Sequence, residues 1–252
     1  LYTLQIVEIL LFEDDEKRTD HSSWRASFIE SGGVANLLEM VLSERFSQQD
    51  SDQCNDCLSK LLNLLYISMI ESHDVRGGDK TGSEIPGMSF LLCSEQVERF
   101  IHVLLTTVRI SAQVTNVQCH TDAGIDGRQG IAVRITGYEA VAKNAMRLLV
   151  ACVMRSHQVA ACVYTFECLK DWLSDTIVRT QAAGVRQTVC QGILKLVYPQ
   201  KRDLNNFSVS DNDSNDASNV HAHFFFLEHL LSLVCHVKTG TTTCSDFFDL
   251  VT

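Results

Sequence analysis

Proline is almost absent from this chain, and no long apolar run occurs. Two Pro and 13 Gly stand among 252 residues. So few breakers leave room for long helices and speak against the turn-rich pattern of sandwiches and barrels. No stretch of about 18 or more uncharged apolar residues exists, which excludes a helical membrane span. Cations are short as well: 21 Lys and Arg face 31 Asp and Glu, a formal net charge of −10. That balance disfavours nucleic acid and anionic membrane as partners, because both are polyanions. The expected partners are proteins, with basic segments where charge takes part. No phosphate-cradling G-x-x-x-x-G-K-[ST] loop is found. Gly124, Gly127 and Gly130 lack the preceding strand that would aim such a loop. The chain opens on Leu1-Tyr2-Thr3-Leu4, inside a helical pattern and without an initiator Met or a signal-peptide charge pattern. It reads as a piece of something longer.

What is present is helical periodicity. The stretch from Trp24 to Leu42 organises it. Ser31-Gly32-Gly33 follows an apolar-faced segment holding Trp24 and Phe28, and Val34, Leu37, Leu38, Val41 and Leu42 come next. Their i, i+3, i+4, i+7, i+8 spacing is one helix face. Adjacent glycines after a helix read as a C-cap and sharp turn, with Gly33 expected at the strained position. Such a unit cannot bury its own apolar face and needs similar units stacked beside it.

The pattern W-R-x-x-F-x-x-x-G-G-V-x-x-L-L-x-x-V-L resembles an armadillo or HEAT-type repeat. It is similar in particular to the non-catalytic helical region of the giant ubiquitin carboxyl-terminal hydrolases of the fat-facets kind. The match covers about Leu1 to Leu42, with a weaker echo from Arg179 to Tyr198. The resemblance implies a scaffold or interaction segment that positions substrates or adaptors for a catalytic domain outside this chain. The alternative is a binding region of a giant ubiquitin ligase or transport factor. A helical enzyme using one of the Cys/His sets is a third reading, of another class.

Periodicity predicts helices over Leu1–Phe12, with Leu4, Ile6, Val7, Leu10 and Leu11 inward, then from a Ser22 or Ser23 cap, over Val34–Phe46, Cys54–Ser72, Ser94–Val114 and Tyr138–Arg155. One further helix runs from a Ser156 cap through Leu173, another over Asp175–Tyr198, and a last full one over Phe224–Val237; Phe247–Val251 starts another. Loops are expected at Glu13–Arg18, Ser47–Asp52, Val75–Gly87 and His120–Gly130. Asp203–Asn219, dense in Asp, Asn and Ser, is expected to be a disordered loop because it has little apolar surface to offset its ordering entropy. The sum is an all-α, armadillo/HEAT-like superhelix of stacked helix pairs, a single segment of roughly five irregular repeats of about 40–47 residues.

Ten cysteines raise the question of staples. Cys152, Cys162, Cys168, Cys190 and Cys235 lie in apolar helical runs, where a free Cys packs as a small hydrophobe. Reduced thiols in the cytoplasm or nucleus follow. Cys54-x-x-Cys57 has metal or redox spacing, but no second pair repeats it: Cys119-His120 and Cys235-His236 do not. His221, His223 and His229 form a loose set near Cys235 and His236. No Cys box or His box of a ubiquitin-specific protease is found, so no residue is assigned a catalytic, metal or cofactor role. Asn63, and more weakly Asn144, match the local pattern of peptide-binding armadillo helices. They form no regular ladder and read as polar surface residues. The acids expected along a helical wall or its rim are Glu30, Glu39, Glu44, Glu71, Glu95 and Glu98.

Overall fold

The computed structural model describes residues 2–12, 21–43, 51–70, 94–119 and 125–197. Every regular element among them is helical: α1 (Tyr2–Phe12), α2 (His21–Glu30), α3 (Gly33–Leu42), α4 (Asp52–Met69), α5 (Ser94–Cys119), α6 (Ile125–Arg155), α7 (His157–Tyr164), α8 (Leu169–Leu173) with a π turn at Ser174–Val178, and α9 (Ala183–Val197). The sequence-predicted elements at Glu13–Arg18, Val75–Gly87, Asp203–Asn219, Phe224–Val237 and Phe247–Val251 lie outside the described residues.

The α2–α3 corner is built as the glycine pair demands, one residue earlier than expected. Gly32 carries the left-handed backbone, φ +83°, and caps α3. Gly33 is already the first residue of α3. A side chain there would run into the Phe28 ring, so Gly33 is required by close approach and not by φ. Val34, Leu37, Leu38, Val41 and Leu42 are all buried.

Several boundaries move. Neither Ser22 nor Ser23 is a cap, since α2 already includes both. Helix α4 starts at Asp52, with the Ser51 hydroxyl accepting from the Cys54 amide at 3.2 Å. Helix α6 takes in residues 125–130 of the expected His120–Gly130 loop. Each glycine costs a helix roughly 1 kcal/mol, which a long cooperative helix absorbs. The single helix expected from Ser156 through Leu173 is two, α7 and α8, although Ser156 does cap α7, accepting from the Val159 amide at 3.3 Å. The helix expected over Asp175–Tyr198 is interrupted: the π turn and residues 179–182 precede α9. On α1, Leu4 is buried, but Ile6 is 42% exposed against expectation. Among the described residues α1 packs mainly on α2 and α4, and Ile6 lies off those contacts.

The core is one continuous apolar cluster running from Leu4 to Leu196. Helix α6 is its hub, packed against α4, α5, α7 and α9. The central helices fall into two rows. In the first, α4, α6 and α9 run parallel. Asn144 reaches Ser59, Arg147 lies over Tyr66, and Gly137 faces Asn55, so low numbers meet low and high meet high. Gly184 meets Glu139 and Gly192 meets Met146 in the same sense. In the second row α3 packs on α5, and α5 runs parallel to the α8 and π segment. The Trp172 indole donates to the Leu105 carbonyl at 2.7 Å, Arg109 pairs with Asp175, and Thr180 donates to the Ala112 carbonyl at 3.4 Å.

Candidate functional site

The outward face of the α4–α6–α9 row carries a run of exposed and half-buried polar residues. Its residues follow from helical spacing. On α6 the exposed or half-buried stripe is Ala140, Lys143, Asn144, Arg147 and Ala151, while Val141, Ala142, Ala145, Met146, Leu148 and Leu149 turn inward. On α4 the stripe is Asp56, Ser59, Lys60, Asn63 and Tyr66; on α9 it is Gln187, Thr188, Gln191 and Lys195. Small residues let the rows close up. A side chain at Gly192 would strike Met146, and one at Gly184 would strike the Glu139 carboxylate. That carboxylate lies at the start of α9, where unpaired amides and the helix dipole favour negative charge. Close helix approach is thus seen at Gly184.

Both asparagines singled out from sequence sit on this face, and both are used between helices. The Asn144 amide donates to the Ser59 carbonyl at 3.0 Å and to its hydroxyl at 2.9 Å. Asn63 donates to Glu8 at 3.4 Å, and Glu8 also pairs with Lys60 at 2.7 Å, tying α1 to α4. They act as struts between neighbouring helices. Arg147 crosses from α6 to α4, its guanidinium carbon 3.7 Å from the Tyr66 ring centroid.

The four described acids of the expected set stand elsewhere. Glu30 ends α2, Glu39 is on α3, and Glu95 and Glu98 are on α5, all exposed. They decorate the α3–α5 side; Glu44 and Glu71 lie outside the described residues. The exposed acids Glu39, Glu95 and Glu98 thus stand on α3 and α5, with Arg99 exposed beside them, while Lys60, Lys143, Arg147 and Lys195 lie across α4, α6 and α9. Periodicity alone could not reveal this, because it depends on which helices become neighbours.

One charged cluster escaped the sequence reading. Asp175, buried in the π turn, accepts from the Arg109 guanidinium at 2.6 and 2.7 Å and from Arg179 at 3.0 Å. It locks α5 to the π turn. Nothing in the local pattern marks it, since Asp175 and Arg109 are 66 residues apart.

The cysteines divide by burial. Burial pushes the Cys152 thiol up to about 12, against a weaker opposing pull from the Arg155 charge. Burial and the Glu98 charge both raise Cys162, and burial raises the Tyr164 phenol. Cys152 is in the core, and a thiol held protonated is a poor nucleophile. Cys54 and Cys57 are half-buried on α4. Among the described residues no three His, Cys, Asp or Glu side chains converge as metal ligands. His221, His223, His229, Cys235 and His236 lie outside those residues, as does His120. No described helix is long and apolar enough to cross a membrane. Searches of protein-family models, curated proteins and solved structures return no match to the chain.

Proposed function

We propose that this chain is a non-catalytic protein-interaction segment, an armadillo/HEAT-like superhelix belonging to a large cysteine-type deubiquitinase of the cytoplasm or nucleus. In this reading it holds substrates or adaptors near a catalytic domain that lies outside the chain. The observation that carries the binding role is the row of parallel helices α4, α6 and α9, together with α5 running parallel to the α8 and π segment, since such rows expose broad, ordered walls. Glu139 and its α9 neighbour Gly184 are about 45 residues apart, inside the usual repeat range. The step from Ser59 to Asn144 is longer, 85 residues, outside that range. The deubiquitinase parentage rests on the resemblance of Trp24 to Leu42 alone. Partners with Lys- or Arg-rich segments suit the exposed acids Glu39, Glu95 and Glu98.

Two measurements test this. An activity-based ubiquitin probe incubated with the chain should label no cysteine; labelling would replace the scaffold by the enzyme reading. Pull-downs through a Lys-rich peptide should weaken in Glu95→Lys/Glu98→Lys, and should weaken with salt as charges screen over about 8–10 Å. Recovery indifferent to both would leave the chain a spacer.

A further inference from the structure

We propose that the outward face of α4, α6 and α9 is a second docking surface, for a short acidic segment of a partner protein in extended conformation. The inference rests on the reading of the chain as a binding segment and adds a site of opposite charge to the acidic α3–α5 side.

The first support is charge placement. In a chain of net charge −10, the exposed middle of this face carries Lys143 and Arg147 on α6, with Lys60 on α4 and Lys195 on α9. Glu8 offsets Lys60. The acids of these helices whose side chains are described stand at one edge: Asp52 and Asp56 near the start of α4, and Glu139 against the start of α9. Helix dipoles account for part of this, because cations favour C-terminal turns. They account for Lys195, in the last turn of α9. They do not account for Lys60, Lys143 or Arg147, each more than two turns before the end of its helix.

The second support is geometry. Because the three helices are parallel and matched level by level, the cations form a band across them and not a stripe along one. Three adjacent helices at about 8–10 Å spacing present roughly 20 Å, the reach of about six extended residues. Arg147 is anchored over Tyr66, and a guanidinium stacked on a ring keeps its N–H donors in its own plane, the geometry that pairs with a carboxylate. Ala140 and Ala151, one to two turns to either side of it on α6, leave the middle of the band low.

The test uses the 252-residue chain and a fluorescein-labelled octapeptide of alternating Glu and Ser, followed by anisotropy at low and physiological salt. Saturable binding is expected, and Lys143→Glu/Lys195→Glu should weaken it by about tenfold or more. Glu95→Lys/Glu98→Lys should not weaken it. That second variant reads the basic-partner surface separately, so either site can fail while the other stands. Circular dichroism melts check that the variants fold; Lys143→Gln/Lys195→Gln replaces the reversal if it does not. Absent binding, or binding unchanged in both Lys143/Lys195 variants, overturns the proposal. Tighter binding of an eight-residue oligothymidylate than of the peptide, lost in the same variants, would overturn it in favour of single-stranded nucleic acid.

Discussion

At the scale of single residues, steric and solvation limits decide more than chemical type does. Gly32 and Gly33 look interchangeable in the sequence, yet one supplies a positive φ and the other makes room for the Phe28 ring. Gly33→Val should lower stability by about 1–3 kcal/mol through overpacking against Phe28. The pairing is checkable, because Phe28→Ala should relieve much of that loss in a double-mutant cycle. An additive cycle would show that the backbone, and not the ring, sets the cost. Cys152 makes the corresponding point about solvation. Its folded-state pKa lies above its unfolded value, so the native state keeps a proton that the unfolded state releases. The stabilisation is fully present below pH about 9 and is lost as pH rises from there towards about 12. In that window stability should fall by up to about 1.4 kcal/mol per pH unit more steeply in the parent than in Cys152→Ala. Chemical denaturation at pH 8, 9 and 10 measures it, and parallel slopes in the two proteins would refute it. Thiol labelling of the native chain at pH 8 should modify the exposed Cys168 and spare Cys152.

At the scale of elements, hydrophobic spacing located the helices and local chemistry placed some of their ends. Ser156 is the clearest success: a serine at the start of an apolar period, its hydroxyl bonded to the Val159 amide. Ser156→Ala should cost about 1 kcal/mol by leaving that amide to solvent, and Ser156→Asp should restore most of it. Thermal melts of the three proteins decide it; an Asp variant no more stable than the Ala variant would mean that the cap is incidental. The failures have physical causes that local reading cannot reach. The periodicity of Val159, Val163, Phe166, Leu169 and Leu173 continues across a real break at Thr165, because a turn can carry apolar residues inward as well as a helix can. The π turn at Ser174–Val178 inserts itself into an equally regular pattern, held by Asp175 and its two arginines from outside the segment. Conversely, glycines at 127 and 130 read as a loop although α6 runs through them.

At the scale of the whole molecule, helical class and much of the core were legible because both follow from spacing, whereas the opposed charged faces were not. Lys143 and Arg147 are four apart on one helix and visible as a pair, but their band with Lys60 and Lys195 exists only once α4 and α9 flank α6. The same neighbour relations predict how the structure comes apart. Helix α6 touches α4, α5, α7 and α9, whereas α1 is held mainly by α2 and α4. Leu148 is fully buried in the hub; Leu4 is the buried anchor of α1. The two tryptophans differ in surroundings, Trp24 half exposed on α2 and Trp172 buried against α5. In a Trp24→Phe background, Trp172 fluorescence therefore reports the α5–α8 region alone. Leu148→Ala should cost about 2–5 kcal/mol. It should shift the Trp172 transition and the loss of helical circular dichroism together, because removing packing at the hub weakens every row. Leu4→Ala should instead bring forward only a fraction of the helical loss and leave the Trp172 midpoint in place, since stacked units couple chiefly to their nearest neighbours. If Leu4→Ala moves both signals as far as Leu148→Ala does, the helices unfold as one cooperative block, and the picture of rows joined unit by unit is wrong.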